Sequence, residues 1–239
     1  MPLIDAHAVF GFWPLEKVDL SVDTLQAAMR ARNVVRSFAY SAKALFYDAG
    51  EGNDDTVAVC AQHPELLPVA VLDPRAYPAC LEEAHKRLGQ GVKVFRFFPD
   101  RHGYPIDFAP AAELLEELAG QVVIVATAQM GAPTALARLL GNTGCRTVLD
   151  LESPALLGET LAALRRCSCL EMTTRGAEAA GALEAAVAAA GAARLVFASG
   201  SPLYSLGSAL MSVQFAALSD ADRAAILGEN MARLLEGQR

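Results

Sequence analysis

Eight short apolar runs, each followed by a stretch of helical composition, constrain the fold of this chain more than any other feature of its sequence. Runs rich in β-branched and aromatic residues are typical of strands, and their regular alternation with helices is typical of a parallel sheet. The sequence predicts strands over residues 3–9, 34–40, 67–72, 92–98, 121–127, 146–151, 168–173 and 194–199. Eight such units predict an α/β fold, namely a (β/α)8 TIM barrel.

The stretches between the strands are rich in Ala, Leu and Glu, which favour helix. Helices are predicted over residues 78–89, 110–119, 157–166 and 177–190. After the eighth strand, residues 204–217 and 220–236 predict extra C-terminal helices, with Ser219 or Asp220 as the cap of the second stretch. The chain of 239 residues has a usual length for one barrel, so residues 1–239 are predicted to form a single domain.

The composition of the chain narrows its possible partners. A formal net charge of −7 is unfavourable for a nucleic-acid or anionic-membrane surface, because both need clustered Lys and Arg. No window approaches the ~18 uninterrupted apolar residues of a spanning helix, and no secretory signal is recognisable, so a cytoplasmic location is expected. The five cysteines are odd in number and include no Cys-x-x-Cys pair, which favours buried reduced thiols. A small-molecule ligand is therefore the expected partner.

The first predicted strand carries an aspartate and a histidine in "IDAHAVFG". Because strand side chains alternate with a period of two, Asp5, His7 and Val9 are predicted to share one side of the strand. Inward residues near the carboxyl end of a barrel strand face the reaction cavity, so Asp5 and His7 are predicted to lie there. The alternative interpretation is that His7 is a buried structural histidine that bonds to the backbone.

Several segments resemble, in their order along the chain, the metal-dependent amidohydrolases, in particular the branch that includes aminocarboxymuconate semialdehyde decarboxylase. The opening "IDAHAVFG" resembles the Asp-x-His-x-His signature of that family. Other segments resemble its third strand, its fourth strand with the following loop, its eighth strand and its terminal helix, and they read "AQHPELLPVAVLDPR", "GVKVFRFFPDRHGYPID", "RLVFASGSPL" and "ILGENMARLL". The resemblance spans nearly the whole chain and implies the same barrel, but the fold alone does not define an activity.

The resemblance also implies a metal site, which this sequence does not preserve. The family holds its metal with paired first-strand histidines, with histidines at the ends of the fifth and sometimes the sixth strand, and with an aspartate on the eighth. The matching positions here hold Val9, about Val125, about Leu151 and Gly200, so His7 is the one ligand retained. Since a catalytic zinc needs three protein ligands, we expect a degenerate site, no bound metal and no other cofactor. An oxygen-rich Mg²⁺ site is the remaining alternative, with the candidate ligands Asp5, Asp150, Glu152 and Glu171.

The fourth predicted strand places an arginine inside the barrel. In "VKVFRFF" the strand period turns Arg96 and Phe98 towards the barrel axis and the intervening aromatic residues towards the outer helices. A buried guanidinium needs an anion. Arg96 is therefore interpreted either as a clamp for a substrate carboxylate or as the structural partner of an internal carboxylate such as Asp5 or Glu171.

His102 follows this strand and is predicted to lie on a loop at the catalytic face of the barrel. Histidine titrates near neutrality, so His102 is a candidate acid or base, and the alternative interpretation is an exposed turn histidine. Polar and aromatic residues near the strand ends are candidate substrate-binding residues, and they are Asp5, Trp13, Tyr40, Phe98, Tyr104, Thr127 and Arg175.

Two functional hypotheses follow from these residues. The first is a metal-independent enzyme of the hydrolase or lyase class, which acts on a small carboxylated or aromatic molecule through acid/base chemistry by His7, His102 and Arg96. The second is a catalytically silent amidohydrolase paralogue that binds a ligand or supports a partner subunit, either as a homo-oligomer or paired with an active paralogue. A sealed barrel mouth would favour the second hypothesis, and an open pocket lined by His7 and Arg96 would favour the first.

Overall fold

The computed structural model describes residues 2–143 and 145–236, and its centre is an eight-stranded parallel barrel. The strands pair in the order in which they occur in the sequence. They are β1 (Leu3–Phe10), β2 (Val34–Ser41), β3 (Leu66–Val71), β4 (Val94–Phe97), β5 (Val122–Thr127), β6 (Arg146–Leu151), β7 (Leu170–Thr173) and β8 (Leu195–Val196). The predicted TIM barrel is confirmed.

The barrel closes between β1 and the chain that follows the short strand β8. The amide of Ala6 donates to the Phe197 carbonyl over 2.9 Å, and the amide of Gly200 donates to the His7 carbonyl over 2.8 Å. The regular ladder of β8 is shorter than predicted because the amide of Phe197 donates instead to the carbonyl of Ile226, in the C-terminal helical region. Closure therefore places Gly200 directly beside His7.

Helices cover the outside of the barrel. Those that connect strands are α1 (Val22–Ala31), α2 (Ala42–Phe46), α3 (Ala49–Gln62), α4 (Ala79–Gly89), α5 (Pro99–His102), α6 (Ala109–Glu117), α7 (Ala132–Leu139), α8 (Leu157–Arg166) and α9 (Ala182–Ala190). Those that follow β8 are α10 (Leu206–Phe215), α11 (Asp220–Ala224) and α12 (Asn230–Glu236), the last two joined by a π-helical turn over Ala225–Glu229. The extra C-terminal helices are thus confirmed, and Ser219 is their cap, since its Oγ accepts from the Asp222 amide over 3.1 Å.

One helix begins later than predicted. α9 begins at Ala182 rather than near residue 177, because the backbone at Gly181 takes a φ of +80°, which lies outside the helical range. The preceding turn carries Arg175 over the carboxyl end of the barrel.

The five cysteines are free, as predicted. Across the described residues, no helix combines the length and the apolar character that crossing a bilayer requires.

Two apolar layers surround the strands, one inside the barrel and one between the barrel and the helices. Ile124 and Val148 belong to the inner layer, whereas Phe95 and Phe97 belong to the outer layer. The predicted phase of the fourth strand is confirmed by this division. Arg96, which lies between the two phenylalanines, is buried inside the barrel with 1% of its surface exposed.

Candidate functional site

Asp150 on β6 is the centre of a polar cluster inside the barrel. Its side chain is fully buried, and its Oδ2 accepts a hydrogen bond from Arg96 on β4 and lies 3.5 Å from Nη1 of Arg175. Its Oδ1 accepts from the Thr173 hydroxyl over 2.8 Å. Burial acts to raise the pKa of Asp150, but the Arg175 and Arg96 guanidinium groups outweigh it and hold that pKa well below its usual range. Asp150 is therefore ionised, and two guanidinium groups compensate its negative charge.

His7 on β1 lies against this cluster. Its Nδ1 lies 2.8 Å from Nη1 of Arg175, 3.2 Å from Nη2 of Arg96 and 3.0 Å from Oδ2 of Asp150. Its Nε2 lies 3.3 Å from the Tyr40 hydroxyl. Burial and the Arg96 charge lower the pKa of His7 to about 3. The ring is therefore neutral near pH 7.

Two aromatic rings enclose the guanidinium of Arg96. Its Cζ lies 5.5 Å from the ring centroid of Tyr40 and 5.0 Å from that of Phe98, distances at which cation–π attraction operates. The two rings lie 5.5 Å apart and are themselves buried. Two of the predicted substrate-binding residues, Tyr40 and Phe98, thus surround a guanidinium instead of an open pocket.

Arg96 pairs with an internal carboxylate, as one of its two interpretations expected, but with neither of the two carboxylates that were named. Neither Asp5 nor Glu171 contacts it, because Asp150 supplies the carboxylate. Glu171 instead pairs with Arg233 of α12, with 3.2 Å between its Oε1 and Nη2 of the arginine. α12 packs beneath the barrel, so this second pair lies away from the central cluster.

Asp5 is buried in a separate set of hydrogen bonds. Its Oδ1 accepts from the amides of Ser199 and His7 over 2.9 and 3.1 Å, and its Oδ2 accepts from the Ser199 hydroxyl over 2.5 Å. Burial raises the pKa of Asp5 to about 6, although these hydrogen bonds act in the opposite direction. The contact with Ser199 was not predicted from the sequence, because it joins residues from the first and last strand regions.

The predicted alternation along β1 is wrong. The pairing register with β2 is irregular between Asp5 and Ala8, and Ala6 and Val9, three residues apart, both pack inside the barrel. Such an irregularity re-aims the side chains on either side of it. Asp5 and Val9 therefore do not share one side of the strand, and His7 reaches the cluster without Asp5.

His102 does not join His7 and Arg96. It ends the short helix α5 and is 6% exposed, so its interpretation as an exposed turn histidine is wrong. Its Nε2 lies 3.0 Å from the Leu45 carbonyl, and its Nδ1 lies 3.7 Å from Oδ1 of Asp73. No contact links His102 to His7 or Arg96 within the described part of the chain. Of the three candidate catalytic residues, His7 and Arg96 therefore lie together and His102 lies apart from them.

Three further candidates lie outside the central cluster. Trp13 is buried beneath the guanidinium of Arg101, whose Cζ lies 5.5 Å from the ring. Thr127 donates to the carboxylate of Asp100 over 3.1 Å. Tyr104 is buried, and its hydroxyl has no hydrogen-bond partner among the described residues. These positions make local contacts at the carboxyl ends of the strands.

A cavity of about 380 Å³ opens at the carboxyl ends of β6, β7 and β8. Arg175 and Ser199 reach its wall, and the Tyr204 ring lies 4.8 Å from Cζ of Arg175. Polar side chains complete much of the lining, and they include Glu152, Glu178, Ser205 and Ser208. Neither His7 nor Arg96 lines this cavity.

The strand positions assigned to lost metal ligands need correction. Val125 and Leu151 both pack in the outer apolar layer and do not face the barrel interior. The inward residues beside them are Ala126 on β5 and Asp150 on β6. Asp150 was missed as a central residue, although its spacing of two from the inward Val148 was the signal that would have found it.

The central residues do not fit a divalent cation. His7 and Asp150 are donors that converge there, but the Arg175 guanidinium lies against both of them. A dication about 4 Å from a fixed guanidinium is repelled by roughly 8 kcal/mol at an effective dielectric constant of about 20. Over residues 2–143 and 145–236, no group of three or more His, Cys, Asp or Glu side chains is arranged to hold a metal, which includes the oxygen-rich alternative.

Gly200 provides the space that the arginine and its neighbour use. A Cβ at this position would lie 2.7 Å from Cδ2 of Tyr204 and 3.2 Å from Nη1 of Arg175. Its φ of +72° also disfavours any residue with a side chain. The glycine at the family's aspartate position is therefore packed against the cation that occupies the centre.

Solved structures share this architecture at low sequence identity. The 5-carboxyvanillate decarboxylase of Sphingomonas paucimobilis is 16% identical with a TM-score of 0.76, over 98% of this chain and 99% of its own. A manganese-bound dihydroxybenzoic acid decarboxylase of Polaromonas is 16% identical with a TM-score of 0.73, over 100% and 98%. A probable 2-pyrone-4,6-dicarboxylic acid hydrolase of Acinetobacter baumannii is 14% identical with a TM-score of 0.72, over 99% and 100%. At these identities the likeness concerns the fold.

Comparison by sequence gives the family. No curated protein matches the chain. The family model described as amidohydrolase matches residues 4–237. Because this match runs from the first strand to the C-terminal helices, the chain belongs to the amidohydrolase family.

Proposed function

We propose that this chain is a metal-independent, catalytically silent amidohydrolase barrel that binds a small carboxylated molecule at its mouth. The observation that carries the proposal is the position of the Arg175 guanidinium, 2.8 Å from Nδ1 of His7 and 3.5 Å from Oδ2 of Asp150. Together with Arg96, it already compensates the Asp150 carboxylate. The barrel centre thus offers a dication neither space nor net negative charge.

The burial of the central residues supports the proposal that they do not catalyse a reaction. His7 is 4% exposed and Arg96 is 1% exposed, and both are fixed by contacts with one another and with Asp150. A general acid or base must reach the substrate within hydrogen-bond distance. A neutral histidine enclosed by guanidinium groups and aromatic rings does not meet that requirement.

The cavity beside Arg175 supports ligand binding. The guanidinium fork matches the geometry of a carboxylate, and Arg175 is the central residue that reaches the cavity wall. Two of the similar structures are named for carboxylated ring compounds, 5-carboxyvanillate and 2-pyrone-4,6-dicarboxylic acid. A carboxylated, ring-containing ligand is the class that we propose for this chain.

A metal-independent hydrolase or lyase is the second candidate, and a specific contact favours it. Ser199 lines the cavity, and its hydroxyl donates to Asp5 over 2.5 Å. A carboxyl group with a pKa of about 6 is suited to exchange a proton near neutrality. Under this candidate, Ser199 and Asp5 form the acid/base pair, and Ser199→Ala abolishes turnover.

Metal analysis of the purified chain tests the proposal. After incubation with Mn²⁺ or Zn²⁺ and gel filtration, we expect far less than one metal ion per chain and an unchanged melting temperature, because an ion that binds the folded state would stabilise it. A matched double variant, Arg175→Ala with Gly200→Asp, removes the cation and returns a carboxylate, so it should bind Mn²⁺ more tightly than the parent chain.

Two results would contradict the proposal. About one tightly held metal ion per parent chain would overturn metal independence. Turnover of a carboxylated aromatic compound by the metal-free chain, lost in Ser199→Ala, would replace silence with the second candidate.

A further inference from the structure

Two oppositely charged side chains, Arg175 and Glu152, line the 380 Å³ cavity, and each has polar atoms that make no hydrogen bond with the described residues. Arg175 is 8% exposed and uses Nη1 for its contacts with His7 and Asp150, while its other two guanidinium nitrogens make no hydrogen bond with the described residues. The Glu152 side chain is 18% exposed and accepts no hydrogen bond from them. Its Oε1 forms an ion pair with Nη2 of Arg101, at 3.6 Å.

The two side chains do not neutralise each other. No ion pair joins Arg175 to Glu152, although both line the same cavity. Burial acts to lower the pKa of Arg175, but the charges of Asp150 and Glu152 act in the opposite direction, and that pKa is raised. Largely buried charges without hydrogen bonds are costly. A ligand that carries both charges would offer each side chain an opposite charge, whereas a simple anion would lie beside the Glu152 carboxylate and be repelled by it.

We propose that the cavity binds a bipolar small molecule of the amino-acid type, with its carboxylate on Arg175 and its ammonium group on Glu152. This inference rests on the proposed function and adds a second charge to the ligand. The exposed carboxylate of Glu178 lines the same cavity and favours the ammonium group further. The cavity volume lies within the range of small-molecule sites, roughly 300–1,000 Å³.

The first turn of α10 supports the carboxylate end of this site. Ser205 caps the helix by accepting from the Ser208 amide over 3.2 Å, and both serines line the cavity. The ten-residue helix directs the positive end of its dipole towards the lining. The Tyr204 ring, stacked on Arg175, provides an apolar wall for the ligand's side chain.

Calorimetric titration of the full chain with three matched probes tests the inference. L-phenylalanine carries both charges, 3-phenylpropanoate carries the carboxylate alone, and 2-phenylethylamine carries the ammonium group alone. We expect L-phenylalanine to bind at least about tenfold tighter than either single-charge probe, since each single-charge probe lacks one charge-assisted hydrogen bond to the cavity. Equal affinity for L-phenylalanine and 3-phenylpropanoate would overturn the bipolar ligand, and so would the absence of measurable L-phenylalanine binding.

Substitution of the acidic group localises the effect. Glu152→Gln should weaken L-phenylalanine binding about tenfold and leave 3-phenylpropanoate binding unweakened. Glu82→Gln, which removes the same charge from an exposed position on α4, should leave all three affinities unchanged. An unaltered preference in Glu152→Gln would overturn the assignment. If the preference for L-phenylalanine is absent but 3-phenylpropanoate still binds, the bipolar ligand is contradicted and the proposed function is not. Metal uptake by the parent chain would contradict the proposed function and not the bipolar ligand.

Discussion

The barrel interior and the helix layer each contain an aspartate that contacts two cationic side chains, but their surroundings differ. Asp150 lies inside the barrel with no exposed surface and contacts Arg96 and Arg175. Asp54 lies on α3 with 55% of its side chain exposed and contacts Lys86 and Arg87 of α4 over 2.9 and 2.7 Å. The same chemistry therefore occurs once without water and once in contact with it.

This difference shows why the charges of the inner cluster depend on one another more than those of the outer cluster. A solvated ion pair gains little, because water already stabilises both charges and salt screens them. An ion pair inside the barrel has no such alternative, so each charge depends on its partner. The inner arginines are thereby held in place beside Asp150.

The largest expected effect comes from removing the charge of each aspartate. Asp150→Asn leaves two buried guanidinium groups against a neutral amide and should lower the free energy of unfolding by about 3–5 kcal/mol. The matched variant Asp54→Asn should lower it by no more than about 1 kcal/mol. Urea denaturation at pH 7 measures both values. Similar losses in the two variants would show that burial does not distinguish the clusters.

The second effect is the pH dependence of stability that burial gives to His7 and Asp5. The pKa of His7 is about 3, below its unfolded value of 6.5, so the unfolded chain binds more protons between these values and stability rises with pH. The pKa of Asp5 is about 6, above its unfolded value of 3.8, so the folded chain binds more protons and stability falls as pH rises. Between about pH 4 and 6 the two effects oppose each other, each approaching about 1.4 kcal/mol per pH unit.

Single variants should separate these opposing contributions. His7→Asn leaves the effect of Asp5, so the free energy of unfolding should fall as pH rises from about 4 to 6. Asp5→Asn leaves the effect of His7, so the free energy of unfolding should rise over the same range. The solvated variant Asp54→Asn should parallel the parent chain. Urea denaturation across this range measures all three, and parallel profiles for His7→Asn and Asp5→Asn would contradict the assignment of either pKa.

The sequence predicted the barrel because strand and helix signals are local. Period-two apolar runs and helical composition depend on neighbouring residues, and so did the inward direction of Arg96 on a regular strand. The position of His7 beside the centre followed from β1, but the irregular register between Asp5 and Ala8 did not, since it arises from pairing with another strand. The local sequence pattern therefore predicted the strands and helices better than the irregularities within them.

The local sequence pattern could not predict which residues form the central cluster. Arg96 and Asp150 are 54 residues apart, and their contact depends on how the strands are staggered around the barrel. Arg175 reaches His7 from a turn whose course no periodicity describes. The sequence did show that the family's aspartate position holds a glycine, but the cation packed against that glycine became visible only in three dimensions.

The smallest expected effect isolates this packing at Gly200. Gly200 and Gly103 both have a φ of +72°, but a Cβ at Gly103 would have nothing within 4 Å. Gly103→Ala should therefore show the backbone cost alone, about 1–2 kcal/mol. Gly200→Ala should cost about 1–3 kcal/mol more, because its Cβ must displace Tyr204 or Arg175. In a Tyr204→Ala background this excess should largely disappear, and urea denaturation showing an undiminished excess would mean that the ring does not fill the space beside the central cation.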